Sequence, residues 1–157
     1  MAIIRVILIV LAAMVLLGTI FSLVRGLSRR TLAQRIRARH LPGDVLRVET
    51  WTNFFGIESL GYTQLRGNGA LVLTKEGLHF HMLLPKREYE FRLAELRGTE
   101  IVRAHLGRSV GRELLKVWFE RDGVTDSVAW LVAEPEAWRA AIAAPQSSTA
   151  FRKRAED

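Results

Sequence analysis

Residues 6–24 read VILIVLAAMVLLGTIFSLV, a run of 19 residues without a charged side chain. As an α-helix, this run would be about 28 Å long at roughly 1.5 Å per residue, close to the roughly 30 Å hydrocarbon core of a bilayer. Thirteen of its residues are Ile, Leu, Val or Phe, and each favours insertion by roughly 0.3–0.6 kcal/mol, about 5 kcal/mol in all. The sequence therefore predicts a single transmembrane anchor over residues 1–25.

A cleaved secretory signal is the alternative interpretation of this segment, with Arg5 as its positive end. The apolar part of such a signal is normally about 7–15 residues long and is followed by a small-residue cleavage site. Here the run is longer, and residues 22–30, SLVRGLSRR, are typical of a stop-transfer flank. We therefore expect the anchor to be retained. A buried core helix is disfavoured because the run has no polar face.

The distribution of basic residues predicts the orientation of the anchor. Residues 1–43 carry seven arginines and no acidic residue, whereas residues 44–157 carry 16 basic and 16 acidic residues. By the positive-inside rule, the protein lies in the cell (inner) membrane with its N-terminus outside and its C-terminal domain in the cytoplasm. Nucleic-acid binding is not expected, because the basic charge lies outside the folded domain. Six arginines after the run are candidate membrane-surface residues: Arg25, Arg29, Arg30, Arg35, Arg37 and Arg39.

Residues 26–43 are interpreted as a basic juxtamembrane helix or linker. Ser28 is a plausible N-cap for a second helix, and Leu32 and Ile36 stand one turn apart among arginines. Such a helix could rest on anionic headgroups, or it could be a solvated linker whose arginines only set the topology. Pro42-Gly43 then ends the helix and begins the folded part.

Residues 44–145 have the length of one domain, and their hydrophobic pattern has a period of two. The chain has no cysteine, which excludes disulfides and thiolate metal sites. Apolar and polar residues alternate over residues 71–74, 78–82, 89–93, 115–119 and 128–132, with turn signals between them. With further strands near 45–53 and 98–105, the pattern predicts about seven antiparallel strands in a small barrel or sandwich.

The period changes after Pro135, which suits the first turn of a helix. Trp138, Ala141 and Ile142 then share one helical face. We expect this helix to cap the domain, with Trp138 closing the open end of the core. The polar residues 146–157 are predicted to be a disordered tail.

Residues 52–61, TNFFGIESLG, and residues 69–80, GALVLTKEGLHF, resemble the opening of GRAM domains and their bacterial pleckstrin-homology-like (PH-like) relatives. Residues 91–96, FRLAEL, resemble the next strand and bend of that family. The resemblance covers roughly residues 45–143. The sequence departs from the family pattern at Phe55, where relatives often carry Arg, and by a longer insert over residues 62–68.

The resemblance implies a non-catalytic binding module without a cofactor, which recognises membrane lipid or a protein partner. The phosphoinositide-binding type of pleckstrin-homology domain carries several basic residues on its first strands and loop, whereas residues 54–68 offer only Arg66. A pocket of that type is therefore not expected. Arg66, Arg108 and Arg112 remain candidates for binding an anion or a headgroup.

Three local patterns have competing interpretations. Residues 107–111, GRSVG, match the G-x-S-x-G nucleophile motif, but no histidine follows them in the chain, so a hairpin loop is the simpler interpretation. His79 and His81 share one strand face and could begin a metal site, with His105 or Glu88 as a further ligand. We assign no catalytic or metal residue, and keep a small membrane-bound enzyme or metal-binding protein using His79 and His81 as the alternative. Tryptophans on predicted strands indicate core packing, cross-strand pairs or a peptide groove: Trp51, Trp118 and Trp130.

Overall fold

Two helices and seven strands make up the chain in the structure, a computed structural model whose backbone is described for residues 2–156 and whose side-chain surroundings are described for residues 3–145. Two single-turn 3-10 helices lie at Glu58–Leu60 and Leu93–Glu95. The main elements are α1 (Ala2–Arg39), β1 (Val45–Ile57), β2 (Asn68–Thr74), β3 (Gly77–Met82), β4 (Arg87–Arg92), β5 (Leu96–Val102), β6 (Leu114–Arg121), β7 (Val124–Leu131) and α2 (Pro135–Glu156).

All seven strands belong to one antiparallel sheet with the order β4-β3-β2-β1-β7-β6-β5. The long strand β1 joins its two halves, since Val48 pairs with Val72 of β2 while Phe54 pairs with Trp130 of β7. The predicted antiparallel strands and closing helix are confirmed. The sheet is nevertheless open, because β4 and β5 do not pair within the described residues, and it does not close into a barrel.

The main core lies on the inner face of the bent sheet, where all seven strands contribute apolar side chains. Phe54 stacks on Phe80 at 5.3 Å between ring centroids, and Phe91 meets Trp130 edge-on at 5.8 Å. The first turns of α2 add Trp138 and Ile142, which are buried in this core and have 0% and 1% of their surface exposed. The predicted role of Trp138 as a core residue is confirmed.

Strand β2 is buried on both of its faces. Leu71 and Leu73 point into the main core, whereas Ala70 and Val72 form a second cluster on the outer face with Leu32 and Ile36 of α1. Leu32 is fully buried in this second cluster. The C-terminal part of α1 is therefore docked on the outer face of the sheet.

Helix α1 runs without a break from Ala2 to Arg39, so the expected second helix with Ser28 as its N-cap does not exist as a separate element. The expectation of a surface-lying helix is corrected for a physical reason: Leu32 and Ile36 bury their side chains against Ala70 and Val72. One helix, within Ile3–Arg39, is long and apolar enough to cross a membrane, with a mean hydropathy of 2.9 and none of its apolar window buried.

The backbone of α2 continues as a helix to Glu156, through residues for which the sequence predicts disorder. The side chains of residues 146–157 lie outside the described part of the chain, and the predicted disorder of this tail stays a prediction.

Candidate functional site: an arginine cleft beside the apolar helix

A cleft of about 710 Å³ lies between α1 and the outer face of the sheet. We call it the arginine cleft and define it by Arg25 and Arg29 of α1, Trp51 and Asn53 of β1, and Arg112 of the β5–β6 loop. Docking of Leu32 on β2 holds α1 beside β1 and so forms one wall of the cleft. The β5–β6 loop contributes Arg112 to the lining of the same cleft. The geometry thus brings residues from three distant parts of the sequence together.

Both carboxylates that line the arginine cleft are already bonded elsewhere. Glu49 accepts hydrogen bonds from Trp138 Nε1 and from the backbone N–H of Ala133, each at 2.9 Å. Glu134 accepts from Arg47 Nη2 at 2.7 Å, and the Arg47 guanidinium lies 5.2 Å from the Trp138 ring centroid. Glu134 is thus ion-paired with Arg47, whereas Glu49 keeps its negative charge and is bonded to neutral donors.

The three arginines that define the cleft have exposed side chains and form no salt bridge within residues 3–145. Arg25 does lie over the indole of Trp51, with its guanidinium carbon 5.3 Å from the ring centroid. Such a cation–π contact leaves the guanidinium N–H groups free to donate hydrogen bonds to an anion. Arg25, Arg29 and Arg112 therefore present unneutralised positive charge to whatever enters the cleft.

The other two predicted anion-binding residues, Arg66 and Arg108, line a second cleft of about 590 Å³ between the β1–β2 and β5–β6 loops. Arg108 is exposed, but all three guanidinium nitrogens of Arg66 are buried without a hydrogen-bond partner within the described residues. Burial, followed by the nearby charge of Arg108, lowers the pKa of Arg66. Arg66 is thus placed near a cleft while its nitrogens have no contact with solvent.

The remaining predicted membrane-surface arginines lie farther along α1. At about 1.5 Å per residue, residues 35–39 are about 15–21 Å from Arg25 along the helix. Arg39 pairs with Glu88 of β4 at 2.9 Å, and Arg35 borders a small cleft beside His81. Arg30 and Arg37 are exposed. The six arginines are therefore not one surface, since two belong to the arginine cleft and two approach the edge of the sheet.

Three histidines meet where the end of α1 reaches β3. His40 Nε2 lies 3.1 Å from His81 Nε2, and the His40 ring centroid lies 4.6 Å from that of His79. His79 Nε2 lies 3.1 Å from Thr74 Oγ1, and His81 Nδ1 lies 3.6 Å from a carboxylate oxygen of Glu88. We call His40, His79 and His81 the histidine cluster.

Burial is the largest cause that lowers the pKa of both His79 and His81. The charge of His40 lowers both pKa values further, whereas Glu88 opposes the effect at both rings. His79 and His81 lie on the same strand, as predicted, and His40 is a third ring that contacts both of them. Within the described residues, however, no group of three or more His, Cys, Asp or Glu side chains has a geometry that could hold a metal ion.

The GRSVG segment, residues 107–111, lies in the β5–β6 loop and not between a strand and a helix. Gly107 and Gly111 have positive φ values of 65° and 69°, and His105 and Arg108 pair across the turn through their backbones. Ser109 Oγ accepts a 3.3 Å hydrogen bond from the Gly111 N–H. This geometry is that of a glycine-dependent loop, in agreement with the simpler of the two interpretations.

The strand tryptophans have three different environments. Trp130 is fully buried in the main core. Trp118 lies on the outer face, where Lys116 Nζ is 4.0 Å from its ring centroid and its Nε1 donates to Glu100 at 3.4 Å. Trp51 is half-buried in the arginine cleft. Core packing and cross-strand contact account for the first two, and only Trp51 borders a candidate site.

Sequence reasoning did not predict that the docking of α1 on the sheet helps to form both the arginine cleft and the histidine cluster. It treated Arg25 and Arg29 as membrane-facing only, and it gave His40 no role. One available signal was the unbroken apolar run of residues 70–73, ALVL, because a strand without alternation is typically buried on both faces. That run requires a partner on its outer face, and the Leu32 and Ile36 stripe supplies it.

No protein-family model matches this sequence, and the search of curated proteins finds no similar sequence. The resemblance to GRAM and PH-like domains therefore rests on the short motifs of the sequence alone.

Proposed function

We propose that this chain is a non-catalytic, membrane-tethered, PH/GRAM-like binding module that acts at the cytoplasmic face of the cell membrane. Its ligand is a lipid headgroup or a protein partner. The observation that carries this proposal is the arginine cleft, because it joins Arg25, the first charged residue after the apolar run, to Arg112 of the folded domain. A binding surface is thereby held next to the point where the chain would leave the bilayer.

Tethering changes the affinity that such a module needs. A domain that is already anchored meets other membrane components at high effective concentration, so a weak site is sufficient for occupancy. The domain from Asp44 onward has no net charge, in keeping with a protein that does not depend on its own electrostatic attraction to reach the membrane. The histidine cluster does not favour the metal alternative, because within the described residues no group of three or more His, Cys, Asp or Glu side chains could hold a metal ion.

The test is crosslinking and purification of the tagged full chain from native membranes that have first been washed with carbonate. We expect the chain to stay with the membranes and to capture a lipid or protein ligand, and we expect the double variant Arg29→Glu, Arg112→Glu to lose that ligand. Arg37→Glu is the matched control, since Arg37 is exposed on α1 outside the cleft. Release of the chain by carbonate, or equal capture by the double variant, would contradict the proposal.

A further inference from the structure

We propose that the arginine cleft binds the phosphate of an anionic membrane phospholipid between Arg29 of α1 and Arg112 of the β5–β6 loop. This inference rests on the proposed function, since it requires α1 to be inserted in the membrane. It goes further by naming the chemical class of the ligand and the residues that hold it.

The first argument is the level of the cleft relative to the bilayer. Arg25 directly follows Val24, the last residue of the apolar run, and a long basic side chain at the end of a span reaches the headgroup region. Arg29 lies one turn further, about 6 Å along the axis. Because Arg25, Arg29 and Arg112 line one cleft, the β5–β6 loop lies at the level of the lipid phosphates when α1 spans the membrane.

The second argument is the charge that the cleft leaves uncompensated. Four arginines and two carboxylates line the cleft: Arg25, Arg29, Arg47 and Arg112, with Glu49 and Glu134. Glu134 is paired with Arg47 at 2.7 Å, whereas Glu49 keeps its negative charge because its hydrogen-bond donors are neutral. The lining therefore has a net charge of +2. A guanidinium binds a phosphate through two parallel N–H···O bonds, and such charge-assisted bonds are stronger than neutral ones. Arg29 and Arg112 lie on two separate elements that line the same cleft, so both can donate hydrogen bonds to a phosphate bound there.

The third argument is the non-ionic lining. Trp51 is half-buried and presents an indole beneath Arg25, and tryptophan is the side chain that favours the interface between headgroups and hydrocarbon. Asn53 and Asn68 line the same cleft and can donate amide N–H groups to phosphate or glycerol oxygens. The cleft thus combines an apolar ring with polar donors, which suits a group that is charged at one end and apolar at the other.

A phospholipid fits these observations better than a soluble acidic peptide. The lipid is already present at the level of Arg25, whereas a peptide would have to enter the headgroup layer to reach the same arginines. The folded domain carries 16 basic and 16 acidic residues after residue 43, so it offers no long-range attraction that would draw an acidic protein from solution.

The experiment uses the full chain in nanodiscs of phosphatidylcholine mixed with phosphatidylglycerol, and counts the lipids that the released protein retains by native mass spectrometry. We expect the unmodified chain to retain one phosphatidylglycerol. Arg29→Gln and Arg112→Gln should each lower this retention by at least about tenfold, since tenfold is already the effect of losing one of the two charge-assisted hydrogen bonds that a guanidinium can make. Arg37→Gln is the matched control for both cleft variants, because it removes the same charge from an exposed position on α1 outside the cleft.

Equal losses in the cleft variants and in their control would show diffuse attraction to the arginine-rich flank, and would overturn the proposal. A second arm adds inorganic phosphate to the mixed nanodiscs, and displacement of phosphatidylglycerol by free phosphate would overturn the assignment to a lipid. Carbonate resistance is measured on every variant. A chain that resists extraction but retains phosphatidylglycerol independently of Arg29 and Arg112 refutes this inference alone, whereas a chain that carbonate extracts refutes the proposed function as well.

Discussion

Replacing Trp138 by alanine should destabilise the domain by about 4 kcal/mol. Its side chain is fully buried in the main core, and truncation of a buried tryptophan to alanine typically costs about 3–5 kcal/mol through lost burial and the cavity left behind. The substitution also removes the 2.9 Å hydrogen bond from Trp138 Nε1 to Glu49, which keeps the backbone N–H of Ala133 as a partner. Because Glu49 keeps that partner, the loss is expected in the middle of the range, at about 4 kcal/mol.

The assay is urea denaturation of residues 25–157, which omits the whole apolar run and retains the docked part of α1. Far-UV circular dichroism and tryptophan fluorescence give the free energy of unfolding by linear extrapolation. Trp138→Phe is the matched control, since it keeps an aromatic ring in the core and loses the hydrogen bond, with an expected cost of about 1–2 kcal/mol. A cost below about 1 kcal/mol for Trp138→Ala would refute the view that this ring closes the core, because a truncation of a core tryptophan cannot be that mild.

Three further outcomes are expected. Hydrogen exchange in the docked part of α1, corrected for intrinsic rates, should accelerate as the pH falls below about 6.5. Burial lowers the pKa of His79 and His81, so docking is favoured while both rings are neutral and is weakened as they protonate. In a His79→Gln, His81→Gln variant the exchange rate of this segment should not change with pH. Gly69→Ala should destabilise by about 1–3 kcal/mol in thermal melts because its Cβ would overlap His81 O of the paired strand, whereas Gly98→Ala, with open space around it, should be neutral or mildly stabilising. A reporter fused after Asp157 should be active only if it functions in the cytoplasm, and activity of a periplasm-specific reporter there would reverse the proposed orientation.

The strands of this domain were predictable because their information is local. Residues such as Leu78, Phe80 and Met82 alternate with histidines, and the alternation itself shows which side chains face the core. The same is true of the closing helix, where Trp138 and Ile142 share one face. The turn signals also separated the strands correctly.

The arginine cleft could not be predicted in the same way, because it depends on the packing of distant segments. Nothing in the local sequence of Arg112 indicates that its loop lies beside Arg25 and Arg29. That proximity follows from the docking of Leu32 on β2 and from the pairing of β1 with β7. The sequence also could not predict that β4 and β5 remain unpaired with each other. Alternation shows which side chains face the core, but it does not show whether the edge of a strand pairs with another strand.

The unbroken course of α1 has a mechanical consequence. With the span inserted as proposed, one continuous helix both crosses the bilayer and packs against the sheet through Leu32 and Ile36. A bilayer thinner or thicker than the apolar run changes the tilt of that run, and a tilt of about 10° displaces a point about 20 Å further along the axis by about 3–4 Å. If the span is inserted as proposed, the angle between the domain and the membrane surface would therefore change with the thickness of the bilayer.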